Sequence, residues 1–107
     1  MDLTRMARED RVATKLMANS DRWADDAVMS RDLIDLAMLT PSGQLSPEGV
    51  AKAKRAYGDS IVSDFAKAKD RLLGRPGRLN DCMKAMGMAL PVAHLRERIE
   101  RLRLQPG

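Results

Sequence analysis

The chain has 107 residues, of which 44% are hydrophobic and 32% are charged, and its formal net charge is +4. This size fits one domain, and the composition is typical of a globular protein rather than a disordered or fibrous one. A single cysteine excludes an intramolecular disulfide and a zinc site built from paired cysteines. Aromatic residues make up only 3% of the chain and methionine occurs eight times. We therefore expect a core of aliphatic side chains and methionine.

The chain also lacks the sequence signals of membrane insertion and secretion. It contains no run of 18 apolar residues, and its first five residues do not lead into the apolar stretch of a signal peptide. We expect residues 1–107 to form a single helical domain in the cytoplasm, without a membrane partner.

Every long segment has the period of a helix, and none alternates like a strand. The first predicted helix runs from about Thr4 to Asp21. Its apolar face consists of Val12, Ala13, Leu16 and Met17, with Leu3 and Met6 as an extension. Ser30 is predicted to cap a second helix from Arg31 to Leu39. Because that stretch is apolar nearly all round, we expect it to be the most buried element.

The middle of the chain carries clear signals for helix starts and stops. Ser46 is a predicted N-cap, and Pro47 suits the first position of a third helix that ends near Tyr57, before Gly58. Either Asp59 or Ser60 is expected to cap a fourth helix. The core stripe of this helix recurs with helical spacing at Ile61, Phe65, Ala68 and Leu72.

A break at residues 74–77 separates the fourth helix from two further predicted helices. The fifth is marked by Leu79, Cys82, Met83, Met86 and Leu90. Pro91 opens the sixth, whose apolar stripe consists of Val92, Leu95, Ile99 and Leu102. This stripe suits either packing on the domain or pairing with a partner protein or a second copy. The short loops predict an all-α fold, a compact antiparallel bundle of five to six short helices.

No catalytic signature occurs in the sequence. It lacks a glycine-rich phosphate loop, a nucleophile elbow, a His-Glu-x-x-His motif and a cysteine pair. His94 is expected at the surface, and Cys82 is expected to be a buried, inert thiol. The domain by itself therefore holds no complete active site.

Two carboxylates of the second predicted helix are the strongest candidates for a site. Asp32 and Asp35 are three residues apart and share a helix face. Together they suit Mg²⁺, which prefers carboxylate oxygen. The alternative, which we favour, is a structural role in which Asp35 pairs with Arg31 on its own helix, or with Lys15 or Arg22 across helices. A partly buried carboxylate requires such a partner.

The cations allow two interpretations. Lys15 is expected to be solvated unless it points at the two carboxylates, where it would neutralise one of them or bind a phosphate. Basic residues concentrate at two places, namely Arg71, Arg75 and Arg78, and Arg96, Arg98, Arg101 and Arg103. We interpret the second group as a solvated helix face, although the net charge also permits binding to RNA.

Two segments, 12–23 and 30–36, with the sequences VATKLMANSDRW and SRDLIDL, together resemble a known family. They are similar to the later motifs of the abortive-infection nucleotidyltransferase toxins of the AbiEii/AbiGii type. In that family a helix bearing A-x-K-L-x-A precedes the motif [K/R]-D-[F/L]-x-D-L. The resemblance extends over residues 12–39, and the rest of the chain shares only the helical character of the family's C-terminal part.

The resemblance implies a role in nucleotide transfer to an acceptor such as tRNA. Lys15 would contact the nucleotide phosphates, with Arg22 and Arg31 as further candidates. Asp32 and Asp35 would be the motif carboxylates, with Asp32 the stronger of the two. The family's glycine-rich turn and acidic strand are absent from this chain.

The resemblance thus implies a module that is not catalytic alone. Mg²⁺ and a nucleoside triphosphate would bind only if a missing N-terminal half completed the site. The alternatives are a small helical binding module for RNA or for a protein partner, and a structural domain with no ligand.

Overall fold

A computed structural model describes residues 3–25, 31–75 and 77–104, with side chains from residue 9 onward. These residues form six helices and no strand: α1 Leu3–Arg22, α2 Arg31–Leu39, α3 Pro47–Tyr57, α4 Ser60–Gly74, α5 Arg78–Ala85 and α6 Val92–Arg101. The predicted all-α class is therefore confirmed. The predicted cap at Ser30 and the side chains of Leu3 and Met6 lie outside the described residues.

Helix α1 lies at the centre of the packing, in contact with α2, α3 and α4. Its predicted apolar face is buried at Val12, Ala13 and Leu16. Gly49 of α3 lies directly against this face. A Cβ atom on Gly49 would lie 2.8 Å from the Val12 side chain and 3.0 Å from the Glu9 carbonyl oxygen. The absence of a side chain at Gly49 thus permits the close crossing of α1 and α3.

Helix α2 is buried along most of its length, as its composition predicted. Leu33, Ile34 and Leu36 have no exposed surface. Met38 is the exception, with 41% of its surface exposed. One edge of α2 therefore reaches the surface near its C-terminal end.

The apolar stripes of the last three helices close the core. The predicted stripe of α4 is buried throughout, and so are Leu79, Cys82 and Met83 of α5. Leu95, Ile99 and Leu102, from α6 and the residue after it, have no exposed surface, whereas Val92 is 41% exposed. The suggestion that this stripe pairs with a partner is therefore corrected, because three of its four side chains already fill the core of the same chain.

The local caps follow the sequence signals with one exception. The Ser46 hydroxyl accepts a hydrogen bond of 3.2 Å from the Gly49 amide, and Gly58, with a φ of 71°, ends α3. Asp59 is the N-cap of α4, but its side chain makes no capping hydrogen bond. The Ser60 hydroxyl instead donates to the Tyr57 carbonyl at 2.8 Å. This serine thus stabilises the end of α3 rather than the start of α4.

Two arginines of α6 bind the C-terminal ends of other helices. Arg98 donates from Nη2 to the carbonyls of Ala37 at 3.0 Å and Met38 at 3.3 Å, at the end of α2. Arg96 donates to the Leu73 carbonyl at 3.3 Å, near the end of α4. Cations are favourable there because the terminal carbonyls lack helical partners and the helix dipole is negative. The predicted solvated face is thus wrong for Arg96 and Arg98, which are partly buried.

The chain after α6 is bound to the loop that precedes α3. The Arg103 amide donates to the Gly43 carbonyl at 2.6 Å, and the Leu45 amide donates to the Arg103 carbonyl at 3.1 Å. Lys69 of α4 donates to the carbonyls of Glu100 and Leu102 at 3.2 and 3.1 Å. Partial burial, together with the nearby Arg103 charge, lowers the pKa of Lys69. None of the helices in the described residues is both long and apolar enough to span a membrane.

We predict that Gly49→Ala destabilises the fold by about 1–3 kcal/mol, because the added methyl group overlaps the Val12 side chain. Urea unfolding followed by circular dichroism measures this change. The matched control is Gly74→Ala in α4, where a Cβ atom meets nothing within 4 Å. There we expect the stability to rise by up to about 1 kcal/mol. Equal effects at the two glycines would contradict the close α1–α3 crossing.

We also predict that Arg98→Gln lowers the free energy of unfolding by about 1–2 kcal/mol, because the end of α2 loses its cation. Arg101→Gln is the control, since this exposed arginine lies 4.0 Å from Glu97 in a surface pair. Its removal should change stability by less than about 0.5 kcal/mol. The same unfolding experiment compares the two, and a smaller loss at Arg98 than at Arg101 would contradict the capping role.

Candidate functional site

Four of the five predicted site residues, from two separate segments, form one cluster between α1 and α2. Lys15 Nζ lies 2.7 Å from Asp35 Oδ2 and 3.7 Å from Asp32 Oδ1. Arg22 Nη2 lies 2.8 Å from Asp32 Oδ1 and 2.9 Å from Asp32 Oδ2, and Arg22 Nε donates to Oδ2 at 3.2 Å. We call these four side chains the α1–α2 ion-pair cluster.

Helical spacing explains why these four side chains meet. Lys15 and Arg22 are seven residues apart, so about two turns of α1 separate them on the same face. Asp32 and Asp35 share a face of α2. Asn19 lies between the two cations on α1 and is only 2% exposed. Asn19 was not among the predicted site residues, although its spacing from Lys15 and Arg22 places it on their face of α1.

The cluster has equal numbers of positive and negative charges, but its two halves differ in burial. The Asp32 side chain is 3% exposed and contacts both cations. The Asp35 side chain is 29% exposed, and its partner Lys15 is 33% exposed. Burial strengthens an ion pair only when its hydrogen bonds are satisfied, as they are in the two-pronged contact of Arg22 with Asp32. We call the Arg22–Asp32 pair the anchored half because its carboxylate is buried, although Arg22 itself is 47% exposed. We call the Lys15–Asp35 pair, in which both side chains are partly exposed, the open half.

The structural role that we favoured for Asp35 left three partners open, and the partner in the structure is Lys15. Arg31 does not join the cluster and is exposed at the start of α2. Among the described side chains, no group of three or more histidine, cysteine, aspartate or glutamate residues is placed to hold a metal ion. Since Asp32 and Asp35 both engage cations, they do not fit a Mg²⁺ site in this arrangement.

A cavity of about 450 Å³ opens beside the Lys15–Asp35 pair. Its lining comes from α1 and α2: Asp10, Arg11, Thr14, Lys15, Asp35, Met38 and Leu39. This volume falls in the range of small-molecule sites, roughly 300–1,000 Å³. Apart from Lys15 and Asp35, the sequence analysis did not identify these residues. Arg11, Thr14 and Lys15 share one face of α1, which is a sequence signal for a binding site. Only the packing of α2 beside this face forms the cavity.

The rim of the cavity carries charges of both signs. Asp10 forms an ion pair with Lys52 of α3, and Asp35 pairs with Lys15. Arg11 is exposed and adds a further cation to the rim. An anionic ligand entering the cavity would therefore meet the cations of Arg11 and Lys15. It would also meet the carboxylate of Asp35, which is paired with Lys15.

The other chemically reactive side chains lie away from this cavity. Cys82 is buried in the core, and burial raises the pKa of its thiol, which keeps it neutral as expected. His94 is exposed on α6, also as expected. Tyr57 donates to Asp21 of α1 at 2.8 Å, and this hydrogen bond raises the pKa of Tyr57. Neither the cysteine nor the histidine is thus part of the candidate site.

Comparison of the chain with protein-family models, curated proteins and solved structures gives no match. The candidate site therefore depends on the geometry of these residues and on the motif resemblance of residues 12–39.

We predict that Asp32→Asn and Asp35→Asn differ sharply in their effect on stability. Loss of the buried Asp32 charge leaves Arg22 without its partner and should cost about 1–3 kcal/mol. Loss of the half-exposed Asp35 charge should cost less than about 1 kcal/mol. Urea unfolding of the two variants measures the difference. Equal losses would contradict the division into an anchored and an open half.

Proposed function

We propose that this chain is the helical module of a nucleotidyltransferase of the AbiEii/AbiGii toxin type, and that Lys15 contributes a phosphate contact to its nucleotide site. One observation carries the proposal. The two segments that bear the resemblance lie apart in sequence, yet one charged residue of each, Lys15 and Asp35, meets the other at the rim of one ligand-sized cavity. On this proposal the chain acts in the cytoplasm.

The side chains of the cluster differ in how well they suit a phosphate. Lys15 is a point charge on a flexible stem, one-third exposed and on the cavity wall. Arg22 is 47% exposed, but its Nε and Nη2 atoms both bind Asp32. Arg31 is exposed outside the cluster. We therefore assign the main phosphate contact to Lys15 and leave Arg22 and Arg31 as secondary candidates.

The proposal does not make this chain an enzyme by itself. Asp32 and Asp35 do not fit Mg²⁺ while they hold Lys15 and Arg22. We therefore assign any Mg²⁺ in the reaction to another segment or chain. What this chain supplies is a contact to the nucleotide and a rigid wall for the cavity.

RNA binding without nucleotide binding is the second candidate function. It is favoured by the net charge of +4 and by exposed cations on α3, such as Lys54 and Arg55. Contacts to RNA phosphates weaken steeply with salt because counterions are released on binding. Salt dependence therefore separates the two candidates.

The complete nucleotide site requires a further segment or chain, so we predict that the wild-type chain alone binds the phosphates of ATP weakly. Lys15→Ala should weaken this binding by about tenfold or more, the loss of one charge-assisted hydrogen bond. Isothermal titration calorimetry measures both affinities. Lys54→Ala is the matched control, because Lys54 is an exposed lysine on another helix. It should leave the affinity unchanged.

Two outcomes would contradict the proposal. Equal affinities of the Lys15→Ala and Lys54→Ala variants would remove Lys15 from the site. Binding to a single-stranded RNA probe that is lost at high salt, without any binding of ATP, would favour the second candidate function instead.

A further inference from the structure

We propose that Asp35 is a competitor built into the candidate site, which holds Lys15 while no ligand is bound and lowers the affinity for anions. This inference rests on the proposed phosphate contact of Lys15. It adds a regulatory element to that contact, namely an intramolecular ion pair that an incoming anion must break.

The distances favour Asp35 over Asp32 as the competitor. Lys15 Nζ donates a hydrogen bond of 2.7 Å to Asp35 but lies 3.7 Å from Asp32. The hydrogen bonds of Asp32 come from Arg22 in a two-pronged contact and not from Lys15. Movement of Lys15 towards a ligand therefore breaks one hydrogen bond, the one to Asp35, and leaves the anchored half of the cluster intact.

The exposure of the pair makes this movement feasible. The side chains of Lys15 and Asp35 are 33% and 29% exposed, and both line the cavity. Water can hydrate the released carboxylate, so opening such a pair costs little, on the order of 1 kcal/mol or less for an exposed ion pair. Lysine has a long, flexible stem, and its ammonium group can turn from the carboxylate towards the cavity without a backbone shift.

Two electrostatic effects of Asp35 act in the same direction. In the free chain it neutralises Lys15, so an approaching anion meets a reduced positive charge. After Lys15 has turned to the ligand, the released Asp35 carboxylate repels an anion in the same cavity. Removal of the Asp35 charge therefore favours anion binding both before and after Lys15 contacts the anion.

Asp10 offers a matched control for the charge alone. It is a carboxylate on the rim of the same cavity, but its ion-pair partner is Lys52 and not Lys15. Asp10→Asn changes the net charge at the cavity by the same amount as Asp35→Asn. A general charge effect predicts equal gains in anion affinity for the two variants. Competition for Lys15 predicts a larger gain in anion affinity for Asp35→Asn.

The test uses inorganic tripolyphosphate as the probe, with a chelator and at low salt, and measures its Kd by calorimetry. We expect Asp35→Asn to lower the Kd by about two- to fivefold, the scale of one exposed ion pair. We expect Asp10→Asn to change it by less than about twofold. Asp35→Glu, which retains the charge, should have the same Kd as the wild-type chain. The double variant Lys15→Ala with Asp35→Asn should not show the lowered Kd.

The outcomes separate this inference from the function on which it rests. If tripolyphosphate binding depends on Lys15 but Asp35→Asn binds no more tightly than Asp10→Asn, the competitor role is overturned and the phosphate contact stands. If no variant binds the probe, Asp35→Asn included, both are overturned. Circular dichroism and urea unfolding of each variant establish that the affinities are compared between folded chains.

Discussion

The close crossing of α1 and α3 at Gly49 is the constraint on which the rest of the fold depends. Because α1 also contacts α2 and α4, its position determines which of its residues can reach each neighbour. Lys15 and Arg22 reach α2, whereas Asp10 and Asp21 reach Lys52 and Tyr57 on α3. The polar side chains of α1 thus form a cationic edge towards α2 and an acidic edge towards α3, with the buried aliphatic face between them.

The core consists mainly of aliphatic side chains with few aromatic residues, and polar side chains add further contacts between the elements. Arg98 binds the end of α2, and Lys69 binds the end of α6. Trp23 is partly buried, and the ammonium group of Lys67 lies over its ring, 5.6 Å from the ring centroid. Each of these contacts joins a helix end or surface to another element. Specific polar bonds therefore contribute to the relative placement of the helices alongside core packing.

The helices were predictable from sequence because their signals are local. Ser46 and Pro47 define the start of α3 within a few residues, and the α4 stripe identifies its buried face without reference to the rest of the chain. The pairing of Asp35 with Lys15 was one of three alternatives that spacing allowed, and only the packing of α1 on α2 chooses among them. Arg98 was misjudged for the same reason, since its carbonyl partners lie about sixty residues earlier. The cavity depends on the relative placement of two helices, which no local pattern encodes.

The pairing of Gly43 and Leu45 with Arg103 has a consequence for the order of folding. It joins two segments that lie far apart along the chain, on either side of the four helices α3 to α6. Closing so long a loop is entropically unfavourable until the intervening helices have docked. We therefore expect the amide hydrogens of Leu45 and Arg103 to become protected from exchange together during refolding. Because Leu45 and Leu102 beside this pairing have no exposed surface, we expect the segment after α6 to detach only when the core itself loosens.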